Sequence, residues 1–116
     1  MNNTIRISNI LKDLGVPVNV SGYKYLRDAI EITMKDMEKV YSICKKLYPE
    51  VANTFKTTPS RVERAMRHAI EIGFTRVQGD IYNKIFRTSV TFYKGKPTNA
   101  EFIATVADWL LMNPEE

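Results

Sequence analysis

Arg61, Glu63 and Arg64 lie within four residues and have the chemistry to read the edges of base pairs. An arginine guanidinium can donate two hydrogen bonds to one guanine, and a glutamate can accept from the amino group of cytosine. Arg67 continues the three-residue step from Arg61 and Arg64, so the three cations would wind along one exposed helical face. A plainer reading stands beside this one. An arginine-rich helix face is often only a solvated face, and Glu63 and Arg67 have the spacing of a supporting i, i+4 ion pair.

The remaining reactive side chains are few. His68 is the single histidine and cannot build a multi-histidine metal site. Its ring N–H can meet a phosphate, or the ring can bridge two helices; both readings stay open. The single cysteine, Cys44, excludes an internal disulfide and a thiolate cluster. It falls on an apolar helical stretch, where a buried, inert thiol is expected. The carboxylates between residues 28 and 38 suit a solvated face better than acid–base catalysis. The five glycines form no phosphate-cradling loop. The chain is therefore read as no enzyme, with no catalytic residue, metal site or cofactor.

The elements that must position Arg61, Glu63 and Arg64 form a helix-turn-helix over residues 48–76. A first helix is expected from about Glu50 to Phe55, with Val51, Ala52 and Phe55 on one face. Lys56, Thr57 and Thr58 make the turn. The Thr58 hydroxyl can cap the next helix, and Pro59 takes the first helical position, where a missing N–H is harmless. The second helix runs from Pro59 to about Thr75. Val62, Ala65, Met66, Ala69, Ile70 and Phe74 form its inward stripe.

The rest of the chain reads as support. Residues 4–14 suggest a helix stopped by Gly15. Val16 to Val20 is extended around Pro17, and Ser21-Gly22 ends that connection. A longer helix is expected from Tyr23 to Val40, with Leu26, Ile30, Thr33, Met37 and Val40 inward. Residues 42–47 continue as a helical segment with Ile43, Cys44 and Leu47 inward. Pro49 must then kink the path, leaving open whether 42–55 is one helix or two. Asp80 can cap a short helix to Phe86, and residues 88–93 read as an extended loop. Thr98 and Glu101 form a capping box for a last helix, with Phe102, Ile103, Val106, Ala107, Leu110 and Leu111 inward. The fold class is thus all-α, a compact bundle of about six helices.

With 116 residues, 44% of them hydrophobic, the chain fits one domain with a real core. The net charge is +4, and it is unevenly spread. Residues 45–76 hold seven Lys or Arg against three Asp or Glu, where phosphates would lie. No Lys or Arg follows Lys96, so the last helix is expected to face away from a polyanion. No apolar run suits a bilayer and no signal peptide is visible, which makes the cytoplasm the expected compartment and a membrane partner unexpected.

The string PSRVERAMRHAIE (Pro59–Glu71) resembles the recognition helix of the sporulation master response regulators, the stage-zero transcription factors of endospore-forming bacteria. The likeness extends through LKDLGVPVNVSGYKYLRDAI, LYPEVANTFKTT and KPTNAEFIATVAD, and so covers nearly the whole chain. It implies a helical effector domain that activates and represses by binding double-stranded DNA at a TGTCGAA-type element. The base readers implied are Arg61, Glu63 and Arg64. The phosphate contacts implied are Lys56, Thr58, Ser60, Arg67 and His68. In such regulators a receiver domain, phosphorylated on aspartate in a two-component phosphorelay, dimerises the protein and frees the effector. The present chain is similar to the effector half alone, residues 1–116, with no receiver.

The resemblance also implies contact with the RNA polymerase sigma subunit through about Val77–Val90. Phe86 and Val90 match there, whereas Gln78, Gly79 and Arg87 depart from the pattern. It further implies effector domains sitting head to tail as a tandem homodimer on DNA, with the last helix contributing. The alternative from another class is a helical adaptor whose basic helix meets an acidic protein. RNA binding is weaker still, because no exposed aromatic cluster for stacking bases is evident.

Overall fold

The computed structural model describes residues 2–76, 80–87 and 95–114, all of its regular elements being helical. Helix α1 spans Asn3–Asp13 and α2 spans Ser21–Lys35. A single turn, α3, covers Glu38–Tyr41, and a π-helical turn covers Ile43–Leu47. Helix α4 is Tyr48–Thr54, α5 Pro59–Arg76, α6 Ile81–Phe86 and α7 Asn99–Met112. The Cα radius of gyration is 12.9 Å, close to the value of about 13 Å for a compact domain of this size.

Helix α2 is the central post, packing against α1, α5 and α7. Leu26, Ala29, Ile30 and Thr33 on its inner side are fully buried. They meet Ile7 and Leu11 of α1, Val62, Met66 and Ala69 of α5, and Phe102, Ile103 and Val106 of α7 in one core. An aromatic chain runs from the end of α5 into that core. Phe74 meets Tyr82 edge-on at 5.4 Å, Tyr82 stacks on Phe86 at 4.5 Å, and Phe86 lies 5.7 Å from Phe102.

Local chemistry sets several ends; the Gly15 stop and the Thr98–Glu101 box are as expected, and the Asn2 cap is an addition. The Asn2 side chain accepts from the Ile5 N–H and starts α1. Gly15, at φ 81°, ends it, with the Val16 N–H returning to the Leu11 carbonyl at 3.0 Å. Both halves of the Thr98–Glu101 capping box are formed, at 3.2 and 3.0 Å. Sequence reasoning missed Arg6. Its side chain is buried and donates to the carbonyls of Leu110 and Asn113, closing the C-terminal end of α7 and tying α1 to it.

Other expectations need correction. Helix α2 begins two residues early, so Ser21 and Gly22 form its first turn rather than a connection. It also breaks at Asp36, short of Val40. The Asp36 carboxylate accepts the Glu38 N–H at 3.1 Å and starts a new turn instead of continuing the old one. Within 42–55, residues 43–54 follow one continuous helical path, with Ser42 and Phe55 as its non-helical ends. The Tyr48 N–H bonds to the Ile43 carbonyl, five residues back, and this widened turn delivers Pro49 into the first turn of α4 without a break. Cys44 lies in this turn, and it is exposed and not buried.

Phe74 and Leu111 lie at the rims of their stripes, 38% and 48% exposed. Gly73 takes the inward place on α5, where a Cβ would lie 2.8 Å from the Leu14 carbonyl oxygen. Asp80 stands at the start of α6 but makes no capping bond with its side chain. Residues 88–93 and Val90 lie outside the described residues.

Candidate nucleic-acid interface

The turn between α4 and α5 is built by backbone bonds. Lys56 takes the left-handed conformation, φ 55°. The Thr57 N–H donates to the Ala52 carbonyl at 2.9 Å, and the Lys56 N–H donates to that of Asn53 at 3.4 Å. This crossed pair closes the C-terminal end of α4 and reverses the chain. Thr58 then caps α5 as expected, its hydroxyl accepting the Arg61 N–H at 3.2 Å. Pro59 follows at the first helical position.

Helix α5 is held from the inside. Val62, Met66, Ala69 and Ile70 are buried, and their opposite face carries Ser60, Arg61, Arg64, Arg67 and His68, all exposed. Lys56 and Thr58 are exposed beside them. Glu63 is only half-exposed and pairs with Arg67 at 3.2 Å. The expected base readers are therefore not one cluster. Arg61, Arg64 and His68 line a hollow of about 490 Å³ on one flank of α5. Glu63 and Arg67 line a second hollow, of about 400 Å³, on the other flank.

The second flank is braced by groups that sequence reasoning passed over. The Asn99 side-chain amide donates to the Tyr48 hydroxyl at 2.9 Å and to the Glu63 carbonyl at 3.0 Å. One side chain at the start of α7 thus clamps α4 to α5. Burial raises the Tyr48 phenol above its ordinary range, while the bond from Asn99 works the other way. Lys96 pairs with Glu71 and holds the approach to α7 against the outer face of α5; that pairing lowers the Glu71 carboxyl. In the sequence Asn99 falls between the two members of the capping box, Thr98 and Glu101.

Phe86 lies differently from what a direct protein contact needs. Its side chain is fully buried between Tyr82 and Phe102. Among the described residues, no group of acidic, histidine or cysteine side chains is placed to hold a metal ion, and no helix is long and apolar enough to cross a membrane.

Residues 7–110 match the family described as sporulation initiation factor Spo0A, C terminal. The chain belongs to that family. It is a family of DNA-binding transcription regulators of sporulation, not an enzyme family. The matched span takes in α4, the turn and α5, and reaches Leu110 near the end of α7. Within the matched span, α5 is thus fixed by a core on one side and by Asn99 and Lys96 on another. Its cations remain on the surface.

Proposed function

We propose that this domain binds a short duplex element of the TGTCGAA type by laying α5 in the major groove. Arg61, Glu63 and Arg64 meet base edges, and Lys56, Thr58, Ser60, Arg67 and His68 meet phosphates. One observation carries this reading. The exposed face of a helix held rigidly by its neighbours starts at a capped turn and carries Arg61, Arg64 and Arg67 in its first turns. In helix-turn-helix proteins those turns are the ones that reach base edges. Arg64 points most directly away from the buried stripe and takes the central contact. Glu63 reads cytosine from the flank, and its pairing with Arg67 leaves that cation at the backbone edge of the groove.

The remaining partners follow from the resemblance. A receiver domain of the same regulator controls the effector, two effectors sit in tandem on adjacent elements, and the sigma subunit is met through residues 77–90. In that segment Asn83 and Lys84 are exposed on α6 and Arg87 is exposed just after it, with Phe86 buried beneath. The deciding experiment is selection of duplexes from a random pool by this domain. Recovery of a TGTCGAA-like heptamer is expected. A pool that enriches no common sequence overturns the proposal.

A further inference from the structure

Helix α2 supplies core to the fold, but its first turn also comes to the surface beside the recognition helix. Gly22 makes this possible. A Cβ at that position would lie 2.7 Å from the Ala69 Cβ and closer still to the Ala65 carbonyl oxygen. With only hydrogen there, α2 crosses α5 almost backbone to backbone. Ser21 and Tyr25 consequently line the same hollow as Arg61, Arg64 and His68.

Lys24 stands on this turn and is exposed. Its ammonium lies 5.3 Å from the centre of the Phe55 ring and 5.7 Å from that of Tyr25, two rings that themselves meet at 5.3 Å. Phe55 ends α4 and immediately precedes Lys56. The cation is thus held over aromatic faces at the turn of the motif, an arrangement that fixes position without neutralising charge. Several other lysines and arginines near the motif are neutralised, as in Lys39 with Glu50, Arg67 with Glu63 and Lys96 with Glu71. Among the described residues Lys24 has no carboxylate partner.

Resting on the proposed major-groove seating of α5, we infer that Lys24 is a further DNA-backbone contact, extending the interface beyond the helix-turn-helix onto α2. A helix in the major groove has a phosphate strand along each side. The first turn of α2 lies on the Arg61 and His68 flank of α5, and its ammonium projects beside the turn that faces that strand. Lys24 carries no base information there. It adds affinity for any duplex alike, with Arg61 and Arg64 left to meet the bases.

The test measures affinity for the selected element and for a scrambled duplex over a salt series, with wild type, Lys24→Gln and Lys24→Arg. Lys24→Gln is expected to flatten the log–log salt slope by about 0.9 on both duplexes. Between about 50 and about 200 mM salt, wild type then loses about threefold more affinity than the variant. The ratio between the two duplexes stays unchanged, and Lys24→Arg restores the slope. A wild-type slope in Lys24→Gln overturns the inference. So does a slope that Lys24→Arg fails to restore, or a change in the ratio between duplexes. If wild type binds both duplexes equally, base reading by α5 fails, while the slope comparison still decides Lys24. If wild type binds neither, both proposals fall.

Discussion

Asn99 at the start of α7 and Tyr48 at the start of α4 are 51 residues apart and share a buried hydrogen bond of 2.9 Å, the amide donating to the phenol oxygen. The same amide donates to the Glu63 carbonyl inside α5. The two helices of the DNA-binding motif are therefore joined through a third. Asn99→Ala removes both donations and leaves two acceptors short of a partner, a loss of about 1–3 kcal/mol. Tyr48→Phe removes one acceptor along with its need for a donor and is expected to lose only about 0.5–1.5 kcal/mol. Urea unfolding of both variants and of the double variant checks the order. Equal losses would show that the bond to Glu63 contributes nothing.

Lys56 presents a conflict between folding and binding. It occupies a left-handed conformation at φ 55°, which burdens a side-chain-bearing residue by about 1–2 kcal/mol. Lys56→Gly relieves that burden, and a net gain of about 1 kcal/mol in stability is expected once the greater freedom of the unfolded glycine is counted. The same change deletes a proposed phosphate contact, so the salt slope of duplex binding should flatten by about 1. Stability and affinity then move in opposite directions. Thermal melts and a salt titration of one variant test both halves, and a flat response in either one breaks the argument.

The parts of this fold that could be read in advance are those whose signal is local. Thr58 with Pro59, Thr98 with Glu101, and Gly15 each act within a few residues of themselves, and each does in the structure what its neighbours suggest. The inward stripes of α5 and α7 were legible for the same reason, except at their rims. Phe74 and Leu111 are one helical step beyond the true stripe and remain partly exposed. What escaped was set by contacts across the chain or by competition within a helix. Asn99 finds Tyr48 only after folding, Arg6 finds the end of α7, and Asp36 takes the Glu38 N–H from what looked like an unbroken helix. The π-helical turn has no periodic signature, and Cys44 within it is exposed where an interior place was expected. The arginines were legible as types. Their division between two flanks of α5 was not, because it depends on what α2 and α7 place beside them.

Alkaline pH should unfold this domain through two phenols. Burial raises both Tyr48 and Tyr82 above the ordinary tyrosine value, so the folded state keeps their protons after the unfolded chain has released them. Their contribution to stability is complete below the unfolded pKa of about 10 and is lost as pH rises through the folded values. The Tyr82 hydroxyl is buried without a hydrogen-bond partner among the described residues. Tyr82→Phe should therefore leave neutral-pH stability equal or slightly higher, since no bond is lost and an unsatisfied hydroxyl goes. It should also make the decline above pH about 10 shallower. Urea midpoints from neutral to strongly alkaline pH measure both effects; a variant that is weaker at neutral pH would mean the hydroxyl has a partner.

Arg64 and Arg67 sit one turn apart, and the proposed roles separate them cleanly. Arg64→Ala removes a bidentate base contact, so it should weaken the cognate element by about 1–3 kcal/mol and relax the preference at one base pair. A scrambled duplex should lose much less. Arg67→Ala should weaken all duplexes alike and flatten the salt slope by about 1. It has a second effect, because Arg67 holds the Glu63 carboxylate at 3.2 Å. Freed from that pair, Glu63 is expected to discriminate its cytosine less sharply, a smaller change confined to a different base pair from the one Arg64 reads. Competition titrations against single-base variants of the element resolve the two positions. If Arg64→Ala leaves the ratio of cognate to scrambled binding untouched, Arg64 is a backbone contact and the centre of the reading face lies elsewhere on α5.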